Sequence, residues 1–583
     1  MAEVPVETQP LEAFQKWTEL AGRGQQLMLE FWSKEPGLPA TDPLGVLATW
    51  QRAATAAMTD PQRLFELQTR YMTDAMALWQ SFLTPGSAAS PVATVKDKRF
   101  AGEAWQEAPA FDFLRQSYLL TSSYVLEATH GLEGLDEREK AKAQFFVKQF
   151  VDAMSPSNFA MTNPEVLKKT IETGGNNLLK GLEHLLDDLH AGRMKMTDEN
   201  AFEVGRNVAI TPGKVVFENR LFQLIQYSPT TDKVFETPLL IFPPWINKFY
   251  ILDLTAEKSF IRWAVAQGLT VFVTSWKSAD ETLADATLDT YVGEGQLAAL
   301  DIVLEISGAS SAHTIGYCVA GTTLAATLAV LAARGEAGKV ESATFFTAQV
   351  DMSECGELSV FIDDAGIEAV ERLTAEHPWL DGRNMAMTFN MLRSNDLIWN
   401  YVVNNYMMGK DYFPFDLLYW NSDATNVPAK WHMSYLKDIY RDNLLVKPGG
   451  ITVLGVPVDL TKVATPSYIQ GGKEDHIAPA RSAYKLTSNF IGEKRFVLAG
   501  SGHIAGVVNP PSANKYQYWT SDTLPERFDD FVAGAKETKG SWWPDWLAWL
   551  APRSGKQVAP RLPGKGKYKA IEDAPGRYVK ERI

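Results

Sequence analysis

From about residue 200 onward, short β-rich runs alternate with helical runs, and this alternation limits the fold more than any other feature of the chain. PLLIFP, LTVFVTSW, AHTIGY, SATFFTA, SYIQGG and RFVLAG read as successive strands. The helical runs AEKSFIRWAVAQ and GTTLAATLAVLAAR lie between the first of them, and VAITPGKVVFENRLFQLIQYSP ahead of them reads as a hairpin. Strands that take turns with helices predict a parallel sheet covered by helices, the α/β class. Between SATFFTA and SYIQGG runs an excursion of about residues 350–445, rich in Met, Trp, Tyr and Asn. It is too long for a plain crossover, which predicts a cap subdomain over the active site.

The chain ahead of the hairpin has a different character. Residues 10–83 read as helices, and in Pro61–Leu83 the residues Leu64, Leu67, Tyr71, Ala75 and Leu78 form one stripe. TPGSAASPVATVKDKR, residues 84–99, is a linker by its Pro, Gly and Ser content. Helical periodicity returns over residues 110–190. The expected division is an N-terminal helical domain over 1–195, with 1–95 a mobile arm and 96–195 a further helical part. Residues 196–583 are then a catalytic domain carrying the cap insertion. Among 17 tryptophans, Trp17, Trp32, Trp50 and Trp79 lie early and Trp542, Trp543, Trp546 and Trp549 late. Core packing accounts for most of them, and contact with an apolar phase is the sharper alternative.

Composition narrows the function classes. A net charge of −14 opposes a nucleic-acid-coating role and makes an anionic substrate depend on a local basic pocket. Two cysteines in 583 residues rule out a disulfide framework and fit a reducing compartment. No window approaches the roughly 18 apolar residues of a membrane span. MAEVPVETQP lacks a charged-then-apolar export pattern, so the expected compartment is the cytoplasm. No HExxH or CxxC spacing is present, and no metal is expected.

SAHTIGYCVAGTTLA, residues 311–325, is where chemistry gathers. An apolar strand closes on Gly316, and a helical pattern begins after Cys318. The frame is that of the strand–turn–helix elbow by which α/β-hydrolases present a nucleophile, with Ala320 where the G-x-S-x-G pattern has its second glycine. The helix that follows adds a dipole favourable to a thiolate. The hydrolase order continues with an acid after a late strand and a histidine after the last one. SYIQGGKEDHIAP supplies Asp475, with Glu474 and His476 as neighbours able to take its place. RFVLAGSGHIAG supplies His503. The set Cys318, Asp475 and His503 thus predicts an α/β-hydrolase fold with a cysteine triad. The amide of Val319 is the natural first oxyanion donor, and an amide near Trp245 or Ile246, after PLLIFP, the second. A plain structural reading stays open for each residue: Asp475 as a turn cap, His503 as a core histidine, Pro243-Pro244 as a strand stop.

GYCVAGT, FPPWINKFYILDL, FDLLYWNSDATNVP, GGKEDHIAP and GSGHIAGVVNPP together resemble the class I polyhydroxyalkanoate synthases. The likeness extends from KRFAGEAW to APGRYVK. It implies that Cys318 is the nucleophile, Asp475 the acid and His503 the base, and that Trp420 and Asp423 serve the cap, a dimer contact and substrate access. It implies a 3-hydroxyacyl-CoA substrate, most readily 3-hydroxybutyryl-CoA, a growing polyester chain as product, and no cofactor, coenzyme A being part of the substrate. It also implies a homodimer and a cytoplasmic protein associated with polyester granules, and leaves the granule surface or granule-coat proteins as partners of the arm. Two departures are plain: Ala320 for a usual glycine, and Trp245 where some members have cysteine. A cysteine-dependent thioesterase or polyester depolymerase, or a non-catalytic granule-coat protein, would fit the same residues.

Overall fold

The computed structural model describes residues 45–84, 92 and 94–583, and the early Trp17 and Trp32 lie outside them. Two compact units form: one from the described residues up to Met196 with Phe389–Phe413, the other from Thr197–Thr388 with Pro414–Ile583.

The first unit is helical: α1 (Val46–Met58), α2 (Pro61–Leu83), α3 (Pro109–Ala128), α4 (Glu137–Ala153), α5 (Pro164–Thr173) and α6 (Asn176–Ala191). Helix α2 starts where Asp60 accepts a bond from the Arg63 amide and Pro61 takes the first helical position, where its missing N–H costs nothing. Its stripe meets α3: Leu78 is buried with Phe100, Trp105, Leu119 and Leu120, and Tyr71 lies edge-on to Tyr124 at 5.4 Å. Phe65, Met72 and Met76 of α2 remain exposed, and Trp79, half exposed, leans on Phe113 of α3 at 4.7 Å. Residues 389–413, from inside the long excursion, fold onto α6. There Asn177 donates to the Met407 carbonyl at 2.7 Å, and Tyr406 to Asp188 at 2.6 Å. Gly181 is needed because a Cβ would sit 1.8 Å from the Tyr406 carbonyl oxygen.

The second unit is built on an 11-stranded sheet. Its strands are β1 (Gly213–Glu218), β2 (Phe222–Tyr227), β3 (Leu239–Phe242), β4 (Val271–Trp276), β5 (Ala312–Tyr317), β6 (Val340–Phe346), β7 (Ser467–Gly472), β8 (Lys494–Ala499), β9 (Gln517–Thr520), β10 (Lys536–Lys539) and β11 (Glu572–Asp573). They lie in the order β10-β9-β8-β7-β6-β5-β3-β4-β2-β1-β11. The middle six, from β8 to β4, are parallel, and the predicted hairpin β1–β2 adds antiparallel strands at one side. Helices α7 (Phe260–Ala266), α8 (Ala298–Ser307), α9 (Val319–Ala333), α10 (Asp416–Ser422) and α11 (Trp543–Leu550) surround the sheet. Thirteen residues of α9 are buried, as a helix apolar on every side requires. The late tryptophans Trp542, Trp543 and Trp546 are core residues, packed with Phe260 and Phe346. Among the described residues, no helix is long and apolar enough to cross a membrane.

Candidate active site

Cys318 stands between β5 and α9 with φ 53° and ψ −125°, a left-handed backbone that a non-glycine residue adopts only under constraint. The constraint is visible on both sides. The Cys318 amide donates to the Phe346 carbonyl on β6 at 2.9 Å, and its carbonyl accepts from Gly321 at 2.8 Å and Thr322 at 3.1 Å. Gly316 and Gly321 let the strand and the helix touch. A Cβ on Gly316 would lie 2.5 Å from the Gly321 Cα, and one on Gly321 would lie 2.5 Å from the Ala348 Cβ. Ala320, whose methyl replaces a hydrogen in the hydrolase pattern, is buried, and its carbonyl accepts from Gln296 at 3.0 Å. The close approach thus falls on 316 and 321, so the motif tolerates alanine at 320.

Two later strands bring the other groups. Asp475 follows β7, and its Oδ1 accepts from the Ile477 and Ala478 amides at 2.9 and 2.8 Å. Its Oδ2 accepts from His503 Nδ1 at 2.7 Å. The carboxylate therefore caps its own turn with one oxygen and holds the imidazole with the other, and its side chain is fully buried. Of the three residues in EDH, Asp475 is the one whose carboxylate meets His503. His503 follows β8; its carbonyl accepts from the Tyr317 hydroxyl at 3.1 Å, tying the histidine loop to the elbow strand. Cys318 is near enough to the same ring to act on its charge. Burial pushes the His503 imidazole down, but Asp475 and Cys318 on its two sides outweigh it and raise it to about 10. The ring thus stands between Asp475 and Cys318 and holds its proton tightly.

The residues of the β3 loop are closely fixed. β3 and β5 run side by side with Phe242 opposite Gly316, so the segment from Pro243 leaves the sheet beside the elbow. Trp276 donates to the Pro243 carbonyl at 2.7 Å. Trp245 stacks on Tyr291 at 4.0 Å, and Thr425 bonds the Trp245 and Ile246 carbonyls at 2.7 and 2.8 Å. The Val319 amide is at the first position of α9, where no carbonyl of the helix can reach it. Trp420 is buried on α10 and donates to the Lys248 carbonyl at 2.7 Å. Asp423, at the end of α10, is buried too; it pairs with Lys248 at 2.8 Å and accepts from the Tyr250 hydroxyl at 2.9 Å. Lys248 and Tyr250 were not singled out by the sequence; the lysine inside the apolar FPPWINKFYILDL was the available signal, since a buried ammonium demands a partner. Cys355 is buried, one element beyond β6. Among the described residues, no group of three or more His, Cys, Asp or Glu is placed to hold a metal ion.

Strand order, elbow and late acid and histidine define the α/β-hydrolase fold, with a cysteine at the elbow position. A model described as the N-terminus of poly-beta-hydroxybutyrate polymerase matches residues 96–264, and the alpha/beta hydrolase fold matches residues 264–510. The chain is 48% identical over 542 residues to the poly(3-hydroxyalkanoate) polymerase of Methylorubrum extorquens, covering 91% of this chain and 89% of that one. It is 44% identical over 578 residues to the poly(3-hydroxyalkanoate) polymerase subunit PhaC of Cupriavidus necator, covering 98% and 95%. Poly(3-hydroxyalkanoate) polymerase 2 of Ectopseudomonas oleovorans is 40% identical over 493 residues, covering 84% and 87%. The chain belongs to the poly(3-hydroxyalkanoate) polymerase family.

Proposed function

We propose that this enzyme polymerises 3-hydroxyacyl groups, delivered as coenzyme A thioesters, through an acyl thioester on Cys318. The observation that carries the reading is a thiol at a hydrolase elbow with His503 and Asp475 behind it. With the thiol proton resting on His503, Sγ attacks the thioester carbonyl, and the Val319 and Ile246 amides receive the oxyanion. The carbonyl re-forms, the C–S bond to coenzyme A breaks, and His503 returns the proton to the leaving sulfur. A 3-hydroxyl of a second hydroxyacyl group then attacks the acyl-Cys318 carbonyl. The new C–O ester bond forms, the Cys318 C–S bond breaks, and the hydroxyl proton passes through His503 to the sulfur. Asp475 orients the imidazole throughout and supports activation of the hydroxyl.

Sulfur at this position has a thermodynamic reason. Exchange of one thioester for another is nearly free of energy change, so the acyl group stays activated until the hydroxyl takes it. A serine would form an oxoester and lose that drop one step early. The substrate read here is 3-hydroxybutyryl-CoA, with the polyester leaving water as a granule to which the enzyme stays attached, in the cytoplasm and as a homodimer. Trp420 and Asp423 serve access to the site beneath the cap in this reading.

Purified protein given 3-hydroxybutyryl-CoA, with coenzyme A release and polymer followed together, tests the reading. Stoichiometric release with polymer is the expected result. Release accompanied by free 3-hydroxybutyrate and no polymer would make the protein a thioesterase, and no release would make it a non-catalytic member of its family.

A further inference from the structure

Lys248 and Asp423 are each 3% exposed in their side chains, and they form an ion pair at 2.8 Å. Two buried charges are costly to keep, and replacement by apolar residues is often neutral or better for stability. Their retention in an apolar setting calls for a use. Three segments meet at this pair. Lys248 is on the loop after β3, and its carbonyl accepts from Trp420 at 2.7 Å. Asp423 ends α10, and its other oxygen accepts from Tyr250 on the same loop at 2.9 Å. The third segment is residues 578–583: the Lys248 ammonium donates to the Glu581 carbonyl, and Arg582 lies against the Tyr419 ring at 5.0 Å and bonds its hydroxyl.

One turn further along, the same two segments continue side by side. Asn247 bridges Ala424 in antiparallel fashion, and Thr425 donates to the Trp245 and Ile246 carbonyls. A trans peptide holds its C=O and N–H in opposite directions. With the Trp245 carbonyl fixed on Thr425, the Ile246 N–H of the same peptide unit points away from the 420–426 segment. The direction of that amide is thus set by how the loop sits on residues 423–425, and the ion pair is the strongest contact that sets it.

We infer that Lys248 and Asp423 are positioning residues for the oxyanion donor on the β3 loop: their pairing, closed off by the Glu581 carbonyl, holds the Ile246 amide in register with Cys318. This rests on the reading of Cys318 as the nucleophile. It gives Asp423 a role in bond making at one remove, through Ile246, in place of a role in access alone.

The inference separates two reactions of one sulfur. Acylation by a thioester builds negative charge on a carbonyl oxygen and needs the oxyanion donors. Alkylation by iodoacetamide is a displacement at carbon and needs only the thiol and His503. In Lys248→Met, single-turnover acylation by 3-hydroxybutyryl-CoA is expected to slow by about 10- to 100-fold, since loss of a whole oxyanion donor costs about 10²–10³. The concentration giving half-maximal rate and the rate of iodoacetamide alkylation are both expected to stay within about twofold. Asp423→Asn, which keeps the shape and can still accept from Tyr250, provides the same comparison if Lys248→Met folds poorly; a smaller loss in the same direction is expected. Equal slowing of acylation and alkylation, or no slowing of acylation, would overturn the inference while leaving the triad standing. Absence of acylation in the unsubstituted protein would overturn the triad as well.

Discussion

The raised imidazole of His503 makes stability depend on pH in a direction that can be worked out. An ordinary histidine titrates near 6.5, whereas His503 is brought up to about 10 with Asp475 and Cys318 facing it. Folding therefore strengthens proton binding at this ring. The stabilisation is complete below about 6.5, where the unfolded chain also carries the proton, and is lost as pH rises through about 10. At roughly 1.4 kcal/mol per pH unit, that interval corresponds to on the order of 5 kcal/mol for the ring in its folded setting. The perturbation is His503→Gln, which keeps a donor for Asp475 but cannot titrate. Differential scanning calorimetry of both proteins between pH 6 and pH 10 is the assay. The unsubstituted protein should unfold at the higher temperature near pH 6.5, and the gap should narrow steadily towards pH 10. Asp475→Asn should behave differently, because burial then dominates and the ring falls from its raised value. ¹⁵N-histidine spectra, read by difference against His503→Gln among eight histidines, give the proton occupancy directly. A gap that does not change over that range, or a His503 resonance titrating near 6.5, would refute the proposed balance of Asp475 and Cys318 against burial.

Five further outcomes follow from the same geometry. Cys318→Ala should abolish coenzyme A release with the fold intact, whereas Cys355→Ser, one element beyond β6, should keep most of the activity; polymer from Cys318→Ala would remove the thiol from the mechanism. Asp475→Asn should permit some acylation but impair elongation, as rapid-quench of labelled acyl-enzyme and of polymer would show; equal loss of both steps would leave Asp475 only as the orienter of His503. Gly321→Ala places a Cβ 2.5 Å from that of Ala348 and 2.8 Å from the Gly316 oxygen, so a loss of about 1–3 kcal/mol or more is expected in urea unfolding. Ala320→Gly in the first turn of the same helix should cost about 1 kcal/mol or less and keep the activity. A chain beginning at Lys96 loses α2 and uncovers Leu119 and Leu120, so its helical unit should melt earlier. It should keep Cys318 acylation and lose granule association, tested by coenzyme A release and fluorescent localisation.

What the sequence makes legible here is what depends on neighbours in the chain. The six apolar runs are β3 to β8, and Pro61–Leu83 is a helix over the whole stretch, because periodicity and turn residues act within a few positions. The elbow is legible for the same reason: Gly316 and Gly321 are five residues apart and touch. The short outer strands β9, β10 and β11 carry no such signal; QYWT, KETK and ED lack a buried apolar run, and only pairing makes them strands. The same limit explains the fate of residues 389–413. Nothing in that stretch announces that it folds onto α6, some 230 residues earlier, until Asn177 is seen bonded to Met407. It also separates the two halves of the site. A triad can be read from its order, since each member sits just past a strand that is itself readable. A buried pair such as Lys248 and Asp423 cannot, because each charge looks like a solvated one until the fold removes the water. The burial cost then becomes the evidence: charges that stability alone would discard, held at 2.8 Å beside the loop of Ile246, are accounted for by what that loop must do when the carbonyl oxygen turns negative.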